Sequence, residues 1–319
     1  MTQNTDTRPR RRRAPADATA KPPSTFTAFG LAAEAEAIDP GLHVVATPIG
    51  NLKDVSFRAL ATLAAADAVL AEDTRVTRTL LMHYGITTPL VAYHEHSNAA
   101  VRERMIARMQ AGEALALVSD AGTPLVSDPG FKLVQAAIEA GLSVTPIPGP
   151  SAVMTAIVAA GLPTDRFFFE GFLPAKSGAR RTRLETLARI PGTLVLFESP
   201  HRLPEMLADA AEVLGRTRPA AVARELTKLY ETIRRGDLGA LAATFAEEGA
   251  PKGEIVVIIG AQDDAPNEAE TDAGLDAALD AALARHSIKD AATLVAEETG
   301  QPRRVVYARA LALARGKDA

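Results

Sequence analysis

The 319-residue chain has no cysteine and no tryptophan, and aromatic residues make up only 4% of it. Without cysteine there can be no disulfide, no cysteine nucleophile and no thiolate-ligated metal, a composition that fits a reducing cytoplasm. No uninterrupted apolar run approaches the length needed to cross a membrane, and none follows the N-terminal arginines Arg8 and Arg10 to Arg13, so these do not read as a secretory signal. The net charge of −4 gives no global attraction to nucleic acid, and any such binding must come from local basic patches. Several cofactor and nucleophile motifs are missing as well. There is no Gly-x-Gly-x-x-Gly, no Gly-x-x-x-x-Gly-Lys-Ser/Thr, no Gly-x-Ser-x-Gly and no His-Glu-x-x-His. Dinucleotide-dependent dehydrogenases, P-loop nucleotidases, serine hydrolases of the α/β type and zinc proteases all lose their main support.

What is present is 47% hydrophobic residues in short apolar runs, each ending in a small or polar loop and followed by a helical pattern. Leu42–Ala46 runs into Thr47-Pro48-Ile49-Gly50-Asn51, and Ala68–Ala71 into Glu72-Asp73-Thr74-Arg75. Pro89–Tyr93 leads to His94-Glu95-His96, Ala114–Val118 to the long stretch Ser119–Gly130, and Ser143–Ile147 to Pro148-Gly149-Pro150-Ser151-Ala152. Five strands alternating with helices predict a wound parallel sheet, in which ligands bind at the carboxyl ends of the strands. Local capping by Asp128, Asp73 or Thr74, Asn51 and Ser151 explains part of each loop. It leaves Ser119-Asp120-Ala121-Gly122-Thr123-Pro124 unexplained, because a plain connection needs only a few residues. His94 and His96 lack a third ligand, and no metal site is expected.

Residues 1–39, rich in Pro, Arg, Ala and Thr, read as a flexible tail, with Arg10 to Arg13 either touching RNA or simply solvated. A first α/β domain is expected over 40–172 and a second over 173–260. The second holds strands at 193–197, 220–223 and 253–259 and a hairpin-like strand at 230–234, which implies a mixed sheet. Residues 261–271 read as a linker, and 272–319 as three short helices near 273–285, 288–299 and 302–315. The cluster Lys176, Arg180, Arg181 and Arg183 could hold phosphates on one helix face or be a solvated surface.

Six segments together resemble the bacterial ribosomal RNA small subunit methyltransferase I family. They are Thr47–Leu52, Ala71–Arg75, Ser119–Pro124 with Asp128–Gly130, Pro148–Ser151, Glu170–Pro174 and Arg224–Lys228. The resemblance runs from about residue 42 to 260 and weakly through the last helices. It implies two α/β domains of the tetrapyrrole methylase type with a cleft between them, and a small C-terminal helical module. It also implies an S-adenosylmethionine-dependent enzyme that methylates the ribose 2′-oxygen of a decoding-centre cytidine in 16S rRNA, within the small ribosomal subunit and as a homodimer. Thr47-Pro48-Ile49-Gly50-Asn51 stands where corrin and sirohaem methylases of this fold carry a glycine-rich loop ending in Gly-Asp, which favours the RNA branch.

On this reading Pro48, Gly50, Asp120, Ala121, Gly122, Thr123, Ser151 and Ala152 hold the cofactor. Glu72, Asp73 or Glu225 assists proton removal, and Arg75, Lys176, Arg180, Arg181, Arg224 and Lys228 hold RNA. A tetrapyrrole methylase and a non-catalytic binder of a nucleotide-like ligand remain as alternatives.

Overall fold

A computed structural model describes residues 24–94, 98–126, 130–261, 268–299 and 302–317. The Arg10–Arg13 run, His96 and the proposed cap Asp128 lie outside the described residues. The chain opens with β1 (Thr25–Ala28) and β2 (Leu31–Glu34), an antiparallel hairpin. It continues through β3 (Gly41–Val45), α1 (Phe57–Ala65), β4 (Ala68–Ala71), α2 (Thr74–His83), β5 (Leu90–Ala92) and α3 (Ala99–Gln110). Then follow β6 (Ala114–Val118), α4 (Phe131–Glu139), β7 (Val144–Ile147), α5 (Ala152–Ala160), β8 (Phe167–Phe172), α6 (Ser177–Leu187), β9 (Thr193–Glu198) and α7 (Leu203–Leu214). The remainder is β10 (Pro219–Arg224), β11 (Thr232–Asp237), α8 (Leu238–Glu248), β12 (Ile255–Ile259), α9 (Glu268–Leu283), α10 (Ile288–Thr299) and α11 (Arg303–Lys317).

At residues 25–34 a paired hairpin stands where the sequence reads as part of a flexible tail. The turn between its strands places Phe29 at φ 53° and Gly30 at φ 76°, the two-positive-φ geometry that matches the twist of paired strands. Phe26 is buried in the core beside α1, and the Thr27 N–H donates to the Tyr84 carbonyl at 2.7 Å. One aromatic anchor and a few backbone bonds hold this segment, too little apolar content to register as a strand pattern in the sequence.

The first five-stranded sheet has the order β5-β4-β6-β3-β7 and is parallel throughout. β4 and β6 are buried at every position, as expected of strands covered by helices on both faces, which explains their unbroken apolar runs. Because β6, β3 and β7 are neighbours, the loops after them stand side by side on one edge, with the loop after β4 next in line. The second sheet has the order β11-β10-β12-β9-β8 and is mixed. β8 and β9 are parallel, whereas β12 pairs antiparallel with both β9 and β10, and β11 with β10.

α5 joins the halves. Its Val153, Ala156, Ile157 and Ala160 pack with Val195, Ala221, Ala223 and Val256 of the second sheet and with Ile49 of the first half. The last three helices bury Leu275, Leu279, Ala292, Val295, Val306 and Ala310 against one another, a separate small core. α9 begins at Glu268, inside the stretch read as a linker.

Candidate functional site

The loops after β3 and β6 are tied by a pair of reciprocal backbone hydrogen bonds. Thr47 N–H donates to the Gly122 carbonyl at 2.8 Å, and Gly122 N–H to the Thr47 carbonyl at 3.1 Å. The Thr47 hydroxyl donates to the Ser119 carbonyl at 3.2 Å, and the Thr123 hydroxyl to the Pro150 carbonyl at 3.0 Å, which brings in the loop after β7. Gly122 sits at φ 92°, and a Cβ there would lie 3.1 Å from an Ile49 methyl, so both backbone and space call for glycine. Ser151 caps α5, its hydroxyl accepting from the Met154 N–H at 3.4 Å. The short polar residues thus lock three loops into one surface.

That surface forms one wall of a cleft of about 430 Å³ between the two sheets. Ile49, Ala121, Gly122, Thr123, Ser151 and Ala152 come from the first half. The opposite wall comes from the second: Phe172 on β8, Phe197 and Glu198 at the end of β9 with Ser199 and Pro200 after it, Leu226 after β10, and Gly253 to Val256 entering β12. The most enclosed charged group of that wall is Glu198. Its side chain is fully buried, Oε1 accepts from the Ser199 N–H at 2.7 Å and lies 3.3 Å from Arg202 Nε, and Oε2 is buried without a hydrogen-bond partner among the described residues. A polar oxygen left in that state is costly, and the neighbouring Arg202 guanidinium supplies the positive charge that offsets it.

The β10 turn is held against its backbone preference. Glu225 and Thr227 take positive φ values of 52° and 67° without being glycine. Glu225 Oε1 accepts from the Glu254 N–H at 3.0 Å and from Lys228 Nζ at 2.9 Å, and the Thr227 N–H donates to Glu231 at 2.6 Å. The result presents Leu226 to the cleft. The Lys228 stem lies against Gly50, where a Cβ would come within 2.5 Å of it, so the second half closes on the first loop through a lysine on a glycine. The hydrogen bond from Lys228 holds the Glu225 carboxyl below its ordinary pKa. Burial opposes the charge on Lys228, but its bonds to Glu225 and Glu254 prevail and raise its pKa.

Not all of the expected residues meet in the cleft. Pro48 and Asp120 face a second cavity of about 270 Å³ on the other side of the Thr47–Gly122 bridge. Asp73 caps α2, and its carboxylate is gripped by Arg75 at 2.6 Å, which lowers its pKa to about 2 and leaves it a weak base. Glu72 is exposed and lines neither cavity. Arg224 is committed to structure, donating to the Thr232 hydroxyl and to the carbonyls of Lys252 and Tyr230.

The reading of Arg180 as a phosphate contact is overturned. Its side chain is 1% exposed, with Nη2 2.6 Å from Asp209 and Nη1 donating to the Ala175 carbonyl at 3.2 Å. A guanidinium so enclosed has no face left for RNA. Arg181 pairs with Glu212, and Arg183 with Glu170 at 2.6 Å, which leaves Lys176 as the cluster's exposed cation without an ion pair among the described residues. Sequence reasoning passed over Glu198, Leu226 and Gly253. The signal within reach was Glu198-Ser199-Pro200-His201-Arg202, a polar loop at a strand's end like those of the first sheet.

Among the described residues no group of three or more His, Asp or Glu could hold a metal ion, and no helix is long and apolar enough to cross a membrane.

Residues 41–242 match the family of tetrapyrrole (corrin/porphyrin) methylases, and residues 268–314 match the RsmI C-terminal HTH domain. A protein of Mesorhizobium japonicum called ribosomal RNA small subunit methyltransferase I is 51% identical over 88% of this chain and 94% of its own. Proteins of the same name from Xylella fastidiosa and Pseudomonas aeruginosa are 52% and 49% identical, over 84% and 85% of this chain and 98% and 96% of theirs. Among solved structures, a diphthine synthase superposes with a TM-score of 0.54 at 18% identity, over 69% of this chain and 89% of its own. A cobalt precorrin-4 methyltransferase gives 0.51 at 18% identity, over 69% and 94%. At that identity these two show the fold alone.

Proposed function

The chain belongs to the ribosomal RNA small subunit methyltransferase I family, within the tetrapyrrole methylases, and on that premise we propose that it methylates the ribose 2′-oxygen of a decoding-centre cytidine in 16S rRNA with S-adenosylmethionine. The observation that carries the cofactor assignment is the cleft itself. Its small-residue wall brings backbone groups near a ligand, and its apolar wall of Phe172, Phe197 and Leu226 suits a flat ring. The residues present fit an adenosine bearing a charged amino-acid arm.

Held by the cleft walls at Gly122, Thr123, Ala152 and Leu226, S-adenosylmethionine would supply an electrophilic methyl, its sulfur taking back the bonding electron pair while the ribose oxygen gives up its proton. The protein's task is placement. Orienting two reactants can supply on the order of 7–11 kcal/mol, whereas a general base adds roughly 10²–10⁴ in rate, so positioning dominates. Thr47, Gly122, Thr123 and Pro150 act by keeping the cofactor wall rigid. The salt-bridged Asp73 and Glu225 hold loops in place, and Glu72, exposed at the same edge with no ion pair among the described residues, is the remaining carboxylate of the three expected to take a proton.

Arg75, 86% exposed at that edge, together with Lys176 and the C-terminal helices, contacts RNA phosphates of the small ribosomal subunit. The enzyme acts in the cytoplasm as a homodimer, through apolar side chains left exposed such as Met154 and Val158 on α5. The test is nucleoside mass spectrometry of small-subunit rRNA from cells with and without the gene. Loss of one ribose-methylated cytidine is expected, and an unchanged nucleoside profile would reject the reading.

A further inference from the structure

The loop that walls the cofactor cleft has a second face. Ala121, Gly122 and Thr123 line the cleft, whereas Ser119 and Asp120 just before them line the neighbouring cavity of about 270 Å³. The first loop divides in the same way, with Ile49 on the cleft and Thr47 and Pro48 on the other side. The Thr47–Gly122 bridge is therefore a thin partition between two cavities. Methyl transfer requires two ligands whose reacting atoms meet, and two pockets separated by one backbone bridge suit that requirement.

Resting on the function proposed above, we propose that the second cavity receives the base of the acceptor cytidine and that Asp120 reads its exocyclic amine. The cavity falls just below the range of about 300–1,000 Å³ typical of pockets for larger ligands, a size for one base. Pro48, Leu52, Val76 and Leu80 give it apolar walls, and Val76 is 47% exposed although apolar. Enzymes that act on one nucleotide commonly draw it out of its stack into such a pocket.

The polar group in this cavity is placed to discriminate. Asp120 is half-buried, and its Oδ1 accepts from the Asp73 N–H at 2.9 Å, which fixes the carboxylate plane. Oδ2 takes no hydrogen bond among the described residues, and the carboxylate's charge is felt by the nearby Arg75 guanidinium. A carboxylate oxygen accepts from the cytosine amine but opposes the carbonyl oxygen that uracil carries at the same position. Asp120 thereby moves from the cofactor set to the acceptor's side of the partition.

The experiment uses the full chain, S-adenosylmethionine and small ribosomal subunits carrying either cytidine or uridine at the target position. In Asp120→Asn the amide oxygen keeps the bond from Asp73 and the amide nitrogen replaces Oδ2, turning an acceptor into a donor. The ratio of kcat/KM for cytidine over uridine should fall at least about tenfold, while calorimetric affinity for S-adenosylhomocysteine stays within about twofold of wild type. Val76→Phe, which fills the cavity from a partly exposed position, should raise KM for the subunit with the same unchanged cofactor affinity. An unaltered cytidine preference in Asp120→Asn, or a loss of cofactor affinity in it, overturns the assignment. A wild-type protein inactive on the cytidine-bearing subunit overturns the functional reading beneath it.

Discussion

The two sheets place their charges differently. The parallel sheet carries Glu72, Asp73, Arg75 and Asp120 at its carboxyl edge, with Arg75 86% exposed. The mixed sheet holds its most enclosed arginine inside, where Arg180 on α6 pairs with Asp209 on α7. In the first half the strand ends all point one way, so the charges that follow them collect at one edge. In the second, ionic pairs set how helices pack on the sheet, and the groups that reach the cleft are mainly apolar. Sequence alone makes the two kinds of charge look alike.

The sharpest way to break this comparison is to remove the buried pair. Replacing Arg180 by alanine leaves Asp209 enclosed with only Ser177 and a distant Arg181 as donors, and should destabilise the protein by about 3–5 kcal/mol. Urea denaturation measures it. A loss below about 1 kcal/mol, the range of exposed pairs, would mean that Arg180 is free to serve RNA after all.

A smaller effect is expected on ligand affinity from either wall of the cleft. Gly122→Val forces a β-branched residue to φ 92° and into Ile49, and should weaken S-adenosylhomocysteine binding at least tenfold, about 1.4 kcal/mol. Leu226→Ala on the facing wall removes apolar contact and should cost about three- to thirtyfold in the same calorimetric titration. If only the first variant matters, the cofactor is held by the parallel sheet alone and the joint cleft is wrong.

How much of this was legible in the sequence follows from the same contrast. Apolar runs such as Ala68–Ala71 and Ala114–Val118 announce strands, and in a parallel sheet the residues after each run share an edge, so strand order and direction alone group the loops at 47–51, 119–126 and 148–152. In the mixed sheet, neighbouring strands run in opposite directions. Leu226 follows β10, whereas Gly253 precedes β12, and only the antiparallel pairing brings them together. Arg180 finds its partner 29 residues away, on another helix, a relation that no local spacing encodes. The hairpin at 25–34 has one buried aromatic, Phe26, amid small residues that resemble a tail.

The smallest effect expected is on pH dependence. Hydrogen bonds from Arg75 lower the Asp73 pKa from 3.8 to about 2. A carboxyl depressed on folding contributes stability that is complete above the unfolded value and fades as pH falls from 3.8 toward 2. Between about pH 5 and 9 Asp73 stays ionised, and the profile of kcat/KM should have the same shape in Asp73→Asn as in wild type. An inflection in that window that disappears in the variant would restore Asp73 as the proton acceptor.

The proposed function is transfer of a methyl group, from a cleft built by both sheets, to a ribose oxygen of RNA. Its most direct test incubates the purified protein with methyl-labelled S-adenosylmethionine and small subunits from cells lacking the gene, followed by digestion and nucleoside mass spectrometry. The account predicts label on the 2′-oxygen of a single cytidine, and label on a base, or none transferred to RNA at all, would contradict it.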